Sequence, residues 1–246
     1  MLGTSEALVE APVEKIKFIE DMSENEIAQA IELPAGLVNL GNTCYLNAVV
    51  QCLRSVPELR DILKEFRQDG SFEAPQSITW AMKGAFDQME KSAAVTPVLL
   101  LQTLHSVFPQ FAQTGEKGTY RQQDANECWV ELLKMLQQKL QPIRKGVEGE
   151  KSYESFIEQF FGGTFDCAMK CIEAEEEEPS KSKENFLQLS CFINQEVKYM
   201  NSGLRLRLNE QLTKRSATLD RDAVYTKQSL ISRLPAYLTI NFVRFQ

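Results

Sequence analysis

Apolar residues recur at helical spacing through the first part of the chain and at strand spacing through the second. Leu46, Val49, Val50 and Leu53 stand at i, i+3, i+4 and i+7, so a helix is predicted from near Cys44 to just before Pro57. Further helices are predicted over 58–66, 78–90 and 97–107, the last with Thr96 as N-cap and Pro97 at its first position. A longer one over 124–140 gathers Trp129, Leu132, Leu133, Leu136 and Leu140 on one face, with Asp124 as cap and Glu127 three residues on, a variant capping box. Ahead of these, Ser23 and Glu26 form a capping box for a short helix to about Ile31, closed by Pro34, and 35–43 is a loop carrying Gly36 and Gly41.

After residue 160 the period shortens. Strands are predicted at 160–163, 164–172, 187–193, 197–199 and 238–245, and in the last of these Leu238, Ile240 and Phe242 alternate with Thr239, Asn241 and Val243 as if one face were well buried. Residues 173–178 are dominated by glutamate and run into Pro179, Ser180 and Lys181; such a stretch reads as a solvated loop, which a partner could also contact. Helices first and strands after give an α+β class rather than an alternating α/β one. The corresponding division is 1–22 linker, 23–150 helical unit and a strand region after it, with an acidic loop at 173–185.

Composition narrows the function classes. The 246 residues are 43% hydrophobic and 25% charged with a net charge of −7, an ordinary globular balance that argues against a nucleic-acid or anionic-membrane surface. No apolar run reaches the roughly 20 residues of a membrane span, and the N-terminus has neither the basic nor the apolar region of a secretory signal. The chain therefore reads as intracellular, cytoplasmic or nuclear. The cysteines at 44, 52, 128, 167, 171 and 191 are then expected as free thiols, and with His105 as the sole histidine and no CxxC pair, neither a metal site nor a cofactor is expected.

The chemically suggestive stretch is Gly36-Leu37-Val38-Asn39-Leu40-Gly41-Asn42-Thr43-Cys44-Tyr45-Leu46-Asn47. It sets a cysteine at a helix start, where unpaired backbone N–H groups favour an anion on sulfur. Asn39 lies where a tight loop could turn its amide toward an oxyanion beside that sulfur. Position alone leaves two readings of Cys44 open, a candidate nucleophile and an ordinary buried core cysteine.

This stretch resembles the cysteine box of the ubiquitin-specific proteases, papain-like deubiquitinases. Two more segments agree: Tyr120-Arg121-Gln122-Gln123-Asp124-Ala125-Asn126-Glu127, and Arg233-Leu234-Pro235-Ala236-Tyr237-Leu238-Thr239-Ile240-Asn241-Phe242-Val243-Arg244-Phe245. Phe18-Ile19-Glu20-Asp21-Met22, Phe108-Pro109-Gln110-Phe111-Ala112 and the run from Leu189 to Tyr199 look most like the proteasome-associated members that carry an N-terminal ubiquitin-like domain. The resemblance implies a thumb–palm–fingers fold, with the helical unit as thumb, 151–235 as fingers and 236–246 as the first part of an incomplete palm. It implies Cys44 as nucleophile and Asn39 as oxyanion stabiliser, with Gln123, Asp124 and Glu127 binding the ubiquitin tail. Simple helix capping is the competing role for the two acids. The implied partners are ubiquitin, polyubiquitin chains and the proteasome regulatory particle.

The chain also departs from the family pattern. Where many members hold zinc with two CxxC pairs, Cys171 stands at the first position, Ala174 at the second, and Lys227 and Leu230 near the later pair, so fingers held by packing alone are expected. The histidine block that would follow the Leu-Pro strand is not within these residues, and His105 sits in an apolar helix that suits packing better than base chemistry. A thiol nucleophile needs a base or a strongly favoured thiolate, so a truncated catalytic domain with little turnover by itself is expected. A non-catalytic ubiquitin-binding or proteasome-adaptor protein is the alternative, and a thiol redox sensor a remote third.

Overall fold

Burial of the predicted helical faces organises the first half of the molecule. The computed structural model describes residues 18–23, 35–115, 118–143, 153–174, 176–195, 197–216 and 218–244. The expected helix over 23–31 falls almost wholly outside them, as does most of the expected linker 1–22, of which Ile19–Asp21 forms a 3-10 turn. Helix α1 (Cys44–Arg54) buries Leu46, Val49, Val50 and Leu53 as its spacing predicts, and ends ahead of Pro57. Helix α2 (Pro57–Glu65) contributes Leu59 and Leu63, and α3 (Ala74–Met89) contributes Ile78, Met82 and Phe86. Helix α4 (Val98–Val107) adds Leu100, Leu101 and Leu104, followed by a 3-10 turn at Pro109–Ala112 that buries Phe111. Helix α5 (Ala125–Lys139) closes this core with Cys128, Leu132, Leu133 and Leu136, packing on both α1 and α3. No helix of the described residues is long and apolar enough to cross a membrane.

Two helix starts differ from expectation. Helix α3 begins at Ala74 rather than 78, because Pro75 in the first turn needs no N–H partner. Helix α4 begins at Val98, with Pro97 itself as the non-helical cap and Thr96 contributing its carbonyl to the Val98 amide (2.8 Å) rather than a side-chain cap.

The expected strand at 160–163 is instead the end of α6 (Phe156–Phe161) and the residues leading out of it. Ser155 caps this helix by accepting from the Glu158 amide (3.1 Å), while the Glu158 carboxylate reaches back to the Glu154 amide (2.8 Å). That capping pair outweighs the strand preference of the paired phenylalanines. From Gly163, where a side chain would run into the Phe186 ring, the chain becomes a sheet.

Its order is β4-β3-β7-β6, antiparallel throughout, from β3 (Gly163–Cys171), β4 (Ser180–Phe186), β6 (Asn209–Ser216) and β7 (Arg221–Arg233). Strand β4 corrects the loop expected over 173–185: from Ser180 on, the charged residues form an edge strand paired with β3 from Gly163↔Phe186 to Met169↔Ser180. Charges suit a strand whose outer edge faces water, so the polar run concealed a strand. The segment 197–199, expected as a strand, is loop. Asn194 draws in the Val197 amide through its side chain (2.9 Å), turning the chain toward α7 (Met200–Leu208).

At the sheet's far end a small core of Cys171, Ala174, Ala223 and Tyr225 is closed by carboxylates. Glu177 accepts from the Tyr225 hydroxyl and the Ser216 hydroxyl, both at 2.7 Å, and Glu173 accepts from the Val224 amide (2.7 Å) and pairs with Arg221 (2.7 Å). Two short parallel pairs complete the sheets: β1 (Gly36–Leu37) with β2 (Ala94–Val95), and β5 (Leu189–Phe192) with β8 (Ile240–Val243). The face expected to be well buried in β8 is not. Phe242 is 49% exposed and Leu238 flanks it exposed, because β8 pairs only with β5 among the described residues. Tyr237 fastens this strand to the helical body. Its hydroxyl donates to Glu58 (2.6 Å), its amide to the Phe160 carbonyl (2.9 Å), and its ring packs by Phe160 and Phe161.

Two outcomes test this packing. Leu132→Ala removes a fully buried α5 side chain from the helical core and is expected to cost about 2–5 kcal/mol in chemical unfolding. Bonding from Tyr225 and then Ser216 holds the Glu177 carboxyl below the ordinary value of 4.5. Its contribution is complete above that pH and fades as pH falls through the lowered pKa. In melts between neutral and acidic pH, the gap between the protein and Glu177→Gln is therefore expected to close on acidification.

Candidate active site

Strand β1 is pinned before the chain turns toward α1. The Gly36 amide donates to the Ala93 carbonyl (2.8 Å) and the Val38 amide to the Val95 carbonyl (2.9 Å). From α1, Asn47 Nδ2 donates to the carbonyls of Leu37 and Val38 (3.2 and 3.3 Å), and Gln51 Nε2 to that of Ala35 (2.7 Å). The helix thus grips the strand that precedes it.

Between them, Asn39 folds its side chain into the turn. Its Oδ1 accepts from the Gly41 amide (3.0 Å), the Thr43 amide (3.2 Å) and the Thr43 hydroxyl (3.2 Å). Buried Thr43 in turn accepts from the Leu40 amide (2.9 Å). The turn needs φ of 97° at Gly41 and 55° at Asn42, a left-handed conformation that glycine adopts freely and asparagine better than most residues. With its oxygen committed to the loop, the remaining polar end of exposed Asn39 is the Nδ2 amide, a hydrogen-bond donor.

Cys44 follows as the first residue of α1 and is exposed, which removes the buried-core reading of this thiol. Thr43 makes no side-chain cap, so the first-turn amides leave their partial positive charge at the end where the sulfur sits. Cys128 differs: it is fully buried in α5, and loss of water pushes its thiol up to about 12, so it stays protonated.

The second expected segment meets the first. Tyr45, next to Cys44, is buried beside Cys128 and stacks on Phe111 with ring centres 5.5 Å apart; burial raises its hydroxyl pKa above the ordinary tyrosine value. Asp124 lies one turn before Cys128 and Glu127 directly before it, so the N-terminal ends of α1 and α5 come together. Asp124 caps α5 by accepting from the Asn126 amide (2.7 Å). Glu127 is exposed, and Gln123 Nε2 donates to the Gln110 carbonyl (3.0 Å). Asn42 bridges the two segments, its Nδ2 donating to the Tyr120 carbonyl at 2.7 Å. Sequence reasoning assigned no role to Asn42; the Gly-Asn pair ahead of a helix was the available signal, because both residues tolerate positive φ.

His105 does not join Cys44. Its ring lies 4.4 Å from the Tyr120 ring, Nε2 is buried without a partner among the described residues, and burial holds its pKa below the ordinary histidine value. Among the described residues no His, Cys, Asp and Glu group of three or more converges as a metal site. Cys171 and Ala174 lie in the small core of the sheet, Lys227 pairs with Glu184 (2.7 Å), and Leu230 is exposed.

A model of the ubiquitin carboxyl-terminal hydrolase family matches residues 35–246. Ubiquitin carboxyl-terminal hydrolase 6 of Arabidopsis thaliana is 39% identical over 250 residues, covering 100% of this chain and 50% of that protein. The protein of the same name from Schizosaccharomyces pombe is 40% identical over 248 residues, covering 100% and 48%. Ubiquitin carboxyl-terminal hydrolase 14 of Caenorhabditis elegans is 33% identical over 239 residues, covering 92% and 45%. The chain spans about half the length of the curated relatives it matches. With the match running from Ala35 through the exposed cysteine, the acid-capped helix and the sheet, the chain belongs to the ubiquitin carboxyl-terminal hydrolase family, and its α+β fold is the papain-like one of that family.

Proposed function

We propose that these residues carry the nucleophile and tail-binding part of a cysteine-type deubiquitinase. The observation that carries this reading is Cys44, exposed at an uncapped helix N-terminus behind a loop clamped by Asn39. In the reaction, the Cys44 thiolate attacks the carbonyl of ubiquitin's terminal glycine, and the carbonyl oxygen becomes an oxyanion. The Asn39 Nδ2 amide donates to it, assisted by the N–H groups of the first turn of α1. Collapse of the tetrahedral intermediate expels the lysine or peptide amine, which takes a proton as it leaves, and the thioester is then hydrolysed by water.

The ubiquitin tail ends in arginines and glycines. Asp124 and exposed Glu127, at the neighbouring helix end, offer carboxylates suited to bidentate guanidinium contacts, and Gln123 lies beside them. Capping of α5 and tail binding are compatible roles for Asp124, since the cap faces the open helix end. Polyubiquitin chains are the expected substrates. The likeness to proteasome-associated members supports work at the proteasome regulatory particle, in cytoplasm or nucleus.

A base is the missing part. Among the described residues no imidazole bonds Cys44, and His105 is engaged with Tyr120. These 246 residues by themselves are therefore expected to turn over ubiquitin substrates slowly or not at all, with the base supplied from outside them. The same observation supports the second reading, a non-catalytic ubiquitin-binding or proteasome-adaptor protein.

Two experiments separate these readings. In the full protein as its gene encodes it, Cys44→Ala is expected to abolish release of a fluorophore from the ubiquitin C-terminus; wild-type turnover by that variant would remove Cys44 from the chemistry. Glu127→Gln and Asp124→Asn are expected to raise KM severalfold by weakening charge-assisted contacts to the tail arginines, with kcat changed less. A pure loss of thermal stability at unchanged KM would remove tail binding and leave Asp124 with capping alone.

A further inference from the structure

A side-chain hydrogen bond ties the nucleophile loop to the segment that faces it. Asn42 stands two residues before Cys44 with φ of 55°, and its Nδ2 donates to the Tyr120 carbonyl at 2.7 Å across a separation of 78 residues. The acceptor is itself rigidly held. Tyr120 bridges to Thr114 in antiparallel fashion, the Arg121 amide donates to the Gln113 carbonyl (2.8 Å), and the Gly115 amide to the Thr119 carbonyl (2.8 Å). The Tyr120 ring lies against His105 of α4, and Gln123 is fastened to Gln110 in the 3-10 turn. On the donor side the loop is held internally by Asn39 and Thr43. Each half is stiff by itself, and the Asn42–Tyr120 bond fixes one against the other.

We infer that Asn42 is a positioning residue, which sets the Cys44 loop in register with the Tyr120–Glu127 segment so that a ubiquitin tail bound there presents its terminal carbonyl to the sulfur. This rests on the reading of Cys44 as nucleophile. The bond from Asn42 goes to the backbone of the facing segment, so the residue acts through the loop. Asparagine meets both demands of the position, tolerance of positive φ and a donor long enough to cross to the facing chain.

Two substitutions isolate the bond from the backbone. Asn42→Gly keeps the left-handed turn unstrained and removes the donor. Asn42→Asp keeps the side-chain length and the tolerance of positive φ, but sets an acceptor against the Tyr120 carbonyl. The test uses the full protein as its gene encodes it and ubiquitin bearing an electrophile in place of its terminal carboxylate. Saturation kinetics separate capture (KI) from bond formation (kinact), with alkylation of Cys44 by iodoacetamide and the melting temperature measured in parallel. Both variants are expected to lower kinact roughly tenfold or more, as misalignment of reacting groups does. In Asn42→Gly, KI, the iodoacetamide rate and the melting temperature are expected to stay near wild type, whereas the added charge of Asn42→Asp, two residues from the thiolate, slows iodoacetamide by itself. Unchanged kinact in Asn42→Gly would overturn the inference, and so would an iodoacetamide rate or melting temperature of that variant falling in step with its kinact, which marks a merely structural role. A wild-type protein that forms no adduct at Cys44 would instead remove the underlying reading, and this inference with it.

Discussion

The seam between α1 and α5 is the constraint on which the rest depends. Tyr45, Leu46 and Val50 from one helix and Cys128, Leu132 and Leu136 from the other lose essentially all contact with water in one core. Each large apolar side chain buried in this way contributes about 1.5–3 kcal/mol, so the two helices cannot slide without losing several such contributions together. Because Tyr45 and Cys128 both lie in the opening turns, the seam also aligns the two N-terminal ends. Those ends carry Cys44 and the Asp124–Glu127 pair. Packing energy, spent on the interior, thereby decides the placement of polar groups at the surface.

What packing leaves undetermined is the shape of the loop between β1 and α1, and there short-range hydrogen bonds take over. One asparagine oxygen collects three donors, a threonine hydroxyl a further amide, and two residues accept positive φ to make the turn. Such conformations persist where the surroundings over-determine them, and they concentrate at functional sites. The consequence is a thiol held exposed at the positive end of a helix dipole. The sheet is stabilised differently, by a small apolar core closed with the hydrogen-bonded carboxylates of Glu173 and Glu177.

The helical half was legible because its signals are local and repeated. The spacing of Leu46 to Leu53 and the cap at Asp124 each named an element whose burial or capping bond is found. The sheet was less legible. Strand β4 is written Ser-Lys-Ser-Lys-Glu-Asn-Phe, a charged edge that resembles a loop until β3 is seen beside it. Strands β6 and β7 mix charges with small residues and were given no separate boundaries, since pairing rather than pattern defines them. Phe160 and Phe161 misled in the other direction: their strand preference yielded to the Ser155–Glu158 cap. At the site, the family resemblance singled out Cys44, Asn39, Gln123, Asp124 and Glu127. The exposure of Cys44 and the three donors on Asn39 required coordinates, as did the bond from Asn42 to Tyr120, which joins residues 78 apart in the chain.

The most direct test of the account is a crystal structure of the protein captured on ubiquitin through a C-terminal electrophile. The account predicts continuous density from the Cys44 sulfur into the ubiquitin tail. Asn39 Nδ2 would lie within hydrogen-bond distance of the atom that stands for the carbonyl oxygen, and the tail arginines would face Asp124 and Glu127. Ubiquitin attached through another cysteine, or a tail leaving Cys44 away from the N-terminus of α5, would contradict it.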